Sequence, residues 1–275
     1  MKRKLRKTLI AFVALLTIMG AAFALLPLPG YVPVLMYHFI GNERLEAEYG
    51  NFVSQSSFAW QMAFLHFFKY RIISLDELYE IKTGKRKPRG REIVLTFDDG
   101  NYTFDSLAVP VLKRYEFPVT VFMVSESVKG GTYGSMNTEA LQRLRAYDWI
   151  SFASHSKTHP FLSKLTEDSL REELFGSKRD LETMLGKPVR DLAYPSGDLN
   201  PAVVSMAREA GYRMAFSTSP KKTAGLEKGF YTMTRVKISS DCSNLFVFWI
   251  KISGIYPLFK ELREDMKTYF RNKSG

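Results

Sequence analysis

Short apolar runs recur along the chain, separated by longer stretches in which polar and apolar positions alternate at helical spacing. The runs fall at residues 32–37, 70–74, 92–97, 119–124, 149–153, 191–194, 212–217 and 231–238. Ile93, Val94 and Leu95 typify them: aliphatic side chains in succession, as in a strand covered on both faces. After Ser57, a capping residue, apolar positions return at helical spacing through Phe68 and carry His66 on an early helix in a structural role. Residues 167–185, with Arg171, Glu172, Glu173, Lys178 and Arg179, read as a helix whose charged face is solvated and carries no chemistry. Strand and helix alternating in this way predict an α/β fold with a parallel sheet and crossover helices. No internal repeat, low-complexity run or second globular domain interrupts the pattern.

The ends of the chain depart from it. Lys2, Arg3, Lys4, Arg6 and Lys7 precede Thr8 to Leu28, twenty-one residues without a charge. At about 1.5 Å per residue such a segment can span a bilayer, with the basic flank in the cytoplasm and the rest of the chain outside. Ala22-Phe23-Ala24 would suit a signal-peptidase site and release the domain. The apolar run is longer than a usual signal core and favours an uncleaved anchor. Residues 1–30 are therefore expected to be a signal-anchor or signal peptide, 31–240 a catalytic domain, and 241–275 a basic amphipathic tail. In that tail Leu245 to Ile250, Tyr256, Leu258 and Phe259 either pack on the domain, the simpler expectation, or lie against a membrane. The single cysteine, Cys242, excludes an intrachain disulfide.

Candidate chemistry sits where two of the strands stop. Val94-Leu95-Thr96-Phe97 ends in Asp98-Asp99-Gly100, at the carboxyl edge where α/β folds collect ligands. Neighbouring side chains of an extended segment face opposite ways, so one aspartate can bind a cation while the other handles a proton. Four histidines occur in all, and two of them, His155 and His159, are four residues apart. On a helical turn that spacing puts both imidazoles on one side, within reach of one ion. No glutamate follows the first of them, so the zincin pattern is absent.

Thr96-Phe97-Asp98-Asp99-Gly100 and His155-Ser156-x-x-His159-Pro160 resemble the first two signature motifs of the polysaccharide deacetylases, the NodB-homology group also known as carbohydrate esterase family 4. Leu192-Ala193-Tyr194-Pro195-Ser196-Gly197-Asp198 is similar to the third motif, and Val32 to His38 looks like the opening strand of the poly-N-acetylglucosamine deacetylase branch. The resemblance covers residues 32–238 and implies a distorted (β/α) barrel. It implies that Asp99, His155 and His159 hold a divalent metal, usually zinc, that Asp98 is the general base, and that His38 is the acid. It also implies that the Pro195-Ser196-Gly197 turn supplies a backbone N–H to the oxyanion, with no need of the Ser196 side chain. Two positions depart from the family. Ala193 replaces an arginine that orients the base in many relatives, a task Arg235 is expected to assume, and Ser196 replaces an aromatic residue.

The implied activity is metal-dependent removal of N-acetyl groups from an envelope or extracellular amino-sugar polymer, which leaves acetate and a free amine. Rival readings are a glycan-binding protein on a decayed esterase fold, a non-haem iron oxygenase, since two histidines and a carboxylate also form that triad, and a glycosidase using Asp98. The net charge of +11 does not point to nucleic acid. Five of those charges lie in the leader, and residues 251–275 carry six basic and three acidic groups. A basic loop at residues 82–91 has six Lys or Arg and no acid. Attraction to anionic membranes or envelope polymers accounts for such patches.

Overall fold

The structure, a computed structural model, describes residues 30–41, 51–130 and 134–256, together with 259, 260, 262, 263 and 266. The expected N-terminal spanning or signal helix lies outside the described residues. Among those described, no helix is long and apolar enough to cross a membrane.

Eleven strands form among the described residues: β1 Val34–Tyr37, β2 Phe39–Gly41, β3 Phe52–Ser54, β4 Arg71–Ile72, β5 Glu92–Phe97, β6 Val119–Met123, β7 Ile150–Ser154, β8 Asp191–Ala193, β9 Met214–Ser217, β10 Met233–Thr234 and β11 Val236–Lys237. All but β2 and β3 join one sheet, ordered β10-β9-β8-β7-β6-β5-β1-β11, with β4 paired to the start of β5. Every pairing is parallel. The two edge strands, β10 and β11, are consecutive in the chain with only Arg235 between them. The sheet therefore runs once round and returns to its own beginning, a barrel open along a single seam.

The expected strand at 231–238 is thus two strands, broken where Arg235 turns into the interior. β2 and β3 pair separately, and three residues are too few to show a period in the sequence. The six residues of β5 are all buried, which agrees with the unbroken apolar run that predicts it. Helices cover the outside. Ser54 caps the helix Gln55–Phe67, a Ser74–Glu77 capping box starts Leu75–Lys82, and Asn200 caps Pro201–Glu209; each cap satisfies amide donors that a helix start leaves without partners. The core continues past Ile238 to Cys242, Phe248 and Ile252, so the helix Leu245–Ile252 packs on the barrel.

Candidate active site

Most of the candidate residues follow directly on the carboxyl end of a strand, and His159 lies in the loop after one. His38 succeeds β1, Asp98 succeeds β5, His155 succeeds β7, and Tyr194 to Ser196 succeed β8. Register brings them together: Tyr37 pairs with Phe97, so His38 and Asp98 leave adjacent strands at one level, and Met123 pairs with Ser154 just before His155. Parallel barrels collect their chemistry at this end.

Asp98 still belongs to the ladder, its N–H donating to Tyr37 O at 2.9 Å. Asp99 does not. Its φ of 68° is left-handed, so the two carboxylates are separated by a sharp turn rather than by the alternation of an extended strand. Asp98 is buried and held in a fork by Arg235, with Nη1 to Oδ1 at 2.6 Å and Nη2 to Oδ2 at 2.7 Å. The Arg235 side chain is itself fully buried, donates also to Thr96 Oγ1 at 3.2 Å, and stands 5.2 Å from the Phe122 ring centroid. Burial alone would raise an aspartate; Arg235, with His155 and His38 nearby, reverses this and holds Asp98 below the ordinary carboxylate range.

Asp99, His155 and His159 come together on their own. Asp99 Oδ1 lies 3.5 Å from His155 Nε2 and 3.6 Å from His159 Nε2, and one donor atom from each of the three lies within 4.8 Å of the others. Donors about 2.0–2.1 Å from a tetrahedral ion stand roughly 3.3 Å apart, so these residues suit one divalent cation. The tautomer suits it too: His155 Nδ1 bonds to Ala193 O at 2.7 Å, which as a carbonyl must accept, leaving Nε2 with its lone pair for a metal. Asp99 is held well below the usual range, burial being outweighed by the histidines. Burial would lower His155, but Asp98 and Asp99 raise it; His159 is lowered by burial and by its neighbour His155.

The two histidines are not on a helical turn. They belong to a loop after β7 in which Ser156 and His159 both have φ of 64°, and Ser156 Oγ accepts from His159 N at 3.0 Å. The rings meet edge to face, centroids 4.8 Å apart. Glu173 pins the loop: one of its carboxylate oxygens accepts from the N–H of Lys157 at 2.8 Å and of Thr158 at 2.9 Å, and the other from the Thr158 hydroxyl at 2.6 Å. Sequence reading placed Glu173 on a solvated face, yet it is only 8 % exposed. A π turn, Glu172–Gly176, interrupts the helix between Glu167–Arg171 and Ser177–Leu185 and rotates Glu173 inward. Nothing in a charged run signals that rotation.

His38 Nε2 lies 3.9 Å from Asp98 Oδ2. Burial pushes the imidazole below its usual value, against the pull of both aspartates, and Nδ1 has no hydrogen-bond partner among the described residues. Ser196 sits in the turn Pro195–Gly197 with φ of 54°. Gly197 donates to Tyr194 O at 2.8 Å and Asp198 to Pro195 O at 2.9 Å. Pro195 has no N–H, so Ser196 supplies the one amide of this turn not committed to those bonds. A Cβ on Gly197 would come within 2.7 Å of Thr218 N, so only glycine fits there.

A parallel barrel carries at its carboxyl rim an aspartate–histidine–histidine cluster that could hold a metal ion and, beside it, a second, buried aspartate. Residues 85–215 match the polysaccharide deacetylase family model. Over 217 residues the chain is 30% identical to YxkH of Bacillus subtilis strain 168, which carries the polysaccharide deacetylase name, covering 78% of this chain and 74% of that protein. It is 25% identical over 202 residues to a Staphylococcus aureus poly-beta-1,6-N-acetyl-D-glucosamine N-deacetylase, covering 69% of this chain and 68% of the relative. Among solved structures, the Streptococcus pyogenes deacetylase PplD in complex with acetate superposes with a TM-score of 0.71 at 25% identity, over 80% of this chain and 99% of that one. IcaB from Ammonifex degensii shares the fold at a TM-score of 0.68 and 22% identity, over 80% and 97%. The chain belongs to the polysaccharide deacetylase family.

Proposed function

We propose that this protein is a metal-dependent N-deacetylase of an N-acetylated amino-sugar polymer in the cell envelope, with zinc held by Asp99, His155 and His159. The observation that carries the reading is the division of labour between adjacent aspartates: Asp99 faces two imidazole nitrogens, while both oxygens of Asp98 are bonded to Arg235. A divalent cation held by Asp99, His155 and His159 would supply Lewis acidity toward an acetyl oxygen and make water easier to deprotonate. Asp98, kept ionised by Arg235, takes the proton of the attacking water. The Ser196 N–H, not committed to the bonds of its own turn, donates to the oxygen on which charge develops. His38, beside Asp98, protonates the departing nitrogen, and the products are acetate and a free amine.

Two exposed aromatic residues support a sugar substrate. Tyr102 and Phe161 each lie two residues beyond a motif residue, Gly100 and His159, and both keep large ring areas in solvent. Rings so placed offer the stacking surface that Ser196 does not. Poly-N-acetylglucosamine is the preferred polymer because a curated relative acts on it. The test is acetate release from poly-N-acetylglucosamine, peptidoglycan and chitin oligomers, with and without a chelator. Acetate and new amines, lost with chelator and restored by zinc, are the expected result. Binding without acetate release would favour the non-catalytic glycan-binding alternative, oxygen uptake the iron oxygenase, and new reducing ends the glycosidase.

A further inference from the structure

The carboxyl-terminal segment presents an apolar face to solvent beside a lysine-rich cleft. In the helix Leu245–Ile252, Phe248 and Ile252 enter the core, and Lys251 reaches back to Asp241, at 2.8 Å and 3.0 Å, and to Lys237 O at 3.0 Å. The other side of the helix leaves Leu245 and Phe246 in solvent. Further on, Phe259, Leu262 and Met266 are 68%, 50% and 57% exposed. Their spacing of three and four puts them on one helical face. Of the nine large apolar side chains exposed among the described residues, these five and Tyr256 make six.

The cleft beside them, about 750 Å³, follows the seam between β10 and β11, with Arg235 in its lining. Lys82, Lys228, Lys237, Lys251 and Lys260 also line it. Asp241 is the single acid among the lining residues, and Lys251 already holds it. Gly30 and Tyr31 belong to the same lining. Tyr31 lies so close to Gly254 that a Cβ there would stand 2.7 Å from its ring. Residues 30 and 31, which follow the uncharged stretch from Thr8 to Leu28 in the sequence, therefore lie on this face.

We infer that this face is a second membrane contact, in which Phe259, Leu262 and Met266 enter the interface of an anionic bilayer while Lys82, Lys237 and Lys260 take lipid phosphates. A protein partner would bury an apolar core from which charge is depleted. Glu261, Glu264 and Asp265 interleave the stripe in the sequence, so the charge that selects an anionic lipid surface is that of the adjoining cleft, where the lining cations outnumber the one acid. The inference is independent of the hydrolytic reading and adds a side-on orientation that an N-terminal anchor alone would not impose.

The test uses the full chain carrying Leu262→Cys with an environment-sensitive label, and separately Phe259→Cys; Cys242 is buried, and wild type controls for its labelling. The protein is bound to phosphatidylcholine vesicles with or without phosphatidylglycerol, containing brominated lipid as quencher. Quenching in the anionic vesicles is expected, falling with salt and about fivefold for each of Lys82, Lys237 and Lys260 changed to Gln. Acetate release from a soluble N-acetylated oligosaccharide should be unchanged in those variants. A label that stays in water on vesicles that capture the protein overturns the inference. So does equal quenching in neutral and anionic vesicles, failure of the vesicles to capture the protein, or protection that grows with protein concentration without lipid, which would mean a second copy covers the face.

Discussion

The fork between Arg235 and Asp98 decides what Asp98 can do. An aspartate this buried would take up a proton if left alone; both oxygens are instead bonded to a guanidinium that cannot be deprotonated. Asp98→Asn should keep its metal and lose about 10²–10⁴ in acetate release, measured with metal content by atomic absorption. His38→Ala should lose a similar factor of about 10²–10⁴ on an N-acetyl sugar, yet far less on a phenyl acetate ester whose leaving group departs without a proton. Equal losses on both substrates would remove His38 from the acid role. Arg235→Met leaves a carboxylate buried and unpaired, and should cost about 3–5 kcal/mol by denaturant titration.

At the scale of elements, the π turn at Glu172–Gly176 does what the charged helix around it does not show. It aims Glu173 at the loop that carries both histidines, and fixes two backbone amides there. Glu173→Gln should weaken metal binding about 10–100-fold in a competitive chelator titration, because outer partners of ligands contribute on that scale, while activity at saturating metal recovers. The helix Leu245–Ile252 depends on another pair. Burial opposes both charges, yet each partner reverses it, so Asp241 is lowered from 3.8 and Lys251 raised from 10.5. The Asp241 contribution is then present above pH 3.8 and lost as acid protonates it at its lower folded value. The Lys251 contribution is present below pH 10.5 and lost as base passes its higher one. Trp249 fluorescence should therefore hold steady between those limits in wild type, and lose that plateau in Lys251→Met.

For the whole molecule, the barrel is a single sheet whose last two strands meet at one residue. Arg235 ends one edge, begins the other, and carries its side chain inward to Asp98, so closure of the barrel and orientation of Asp98 are one structural event. The proposed metal cluster draws its residues from two different strand ends, so an ion held there should stabilise the fold as well as enable turnover. At a free zinc concentration of about 100 times Kd the expected gain is about 2.7 kcal/mol, read as a rise in Tm that chelator reverses. Absence of any shift would mean that the cluster does not hold the ion.

The amino-acid sequence by itself determined most strands of the barrel, because an aliphatic run such as Ile93-Val94-Leu95 declares burial on both faces wherever it is placed. It also singled out Asp98, Asp99, His155 and His159, whose residue types and order match two motifs of the family. Only the tertiary structure decided how they meet. The histidine pair converges through two left-handed residues and Glu173, not through helical spacing, since the bonds that shape a loop come from side chains distant in the chain. Arg235 lies 137 positions from Asp98, and no local pattern encodes a contact over that separation. Strands β2 and β3 stayed illegible because three residues are too few for a period. The inward turn of Glu173 did so because a one-residue shift of helical phase leaves composition unchanged.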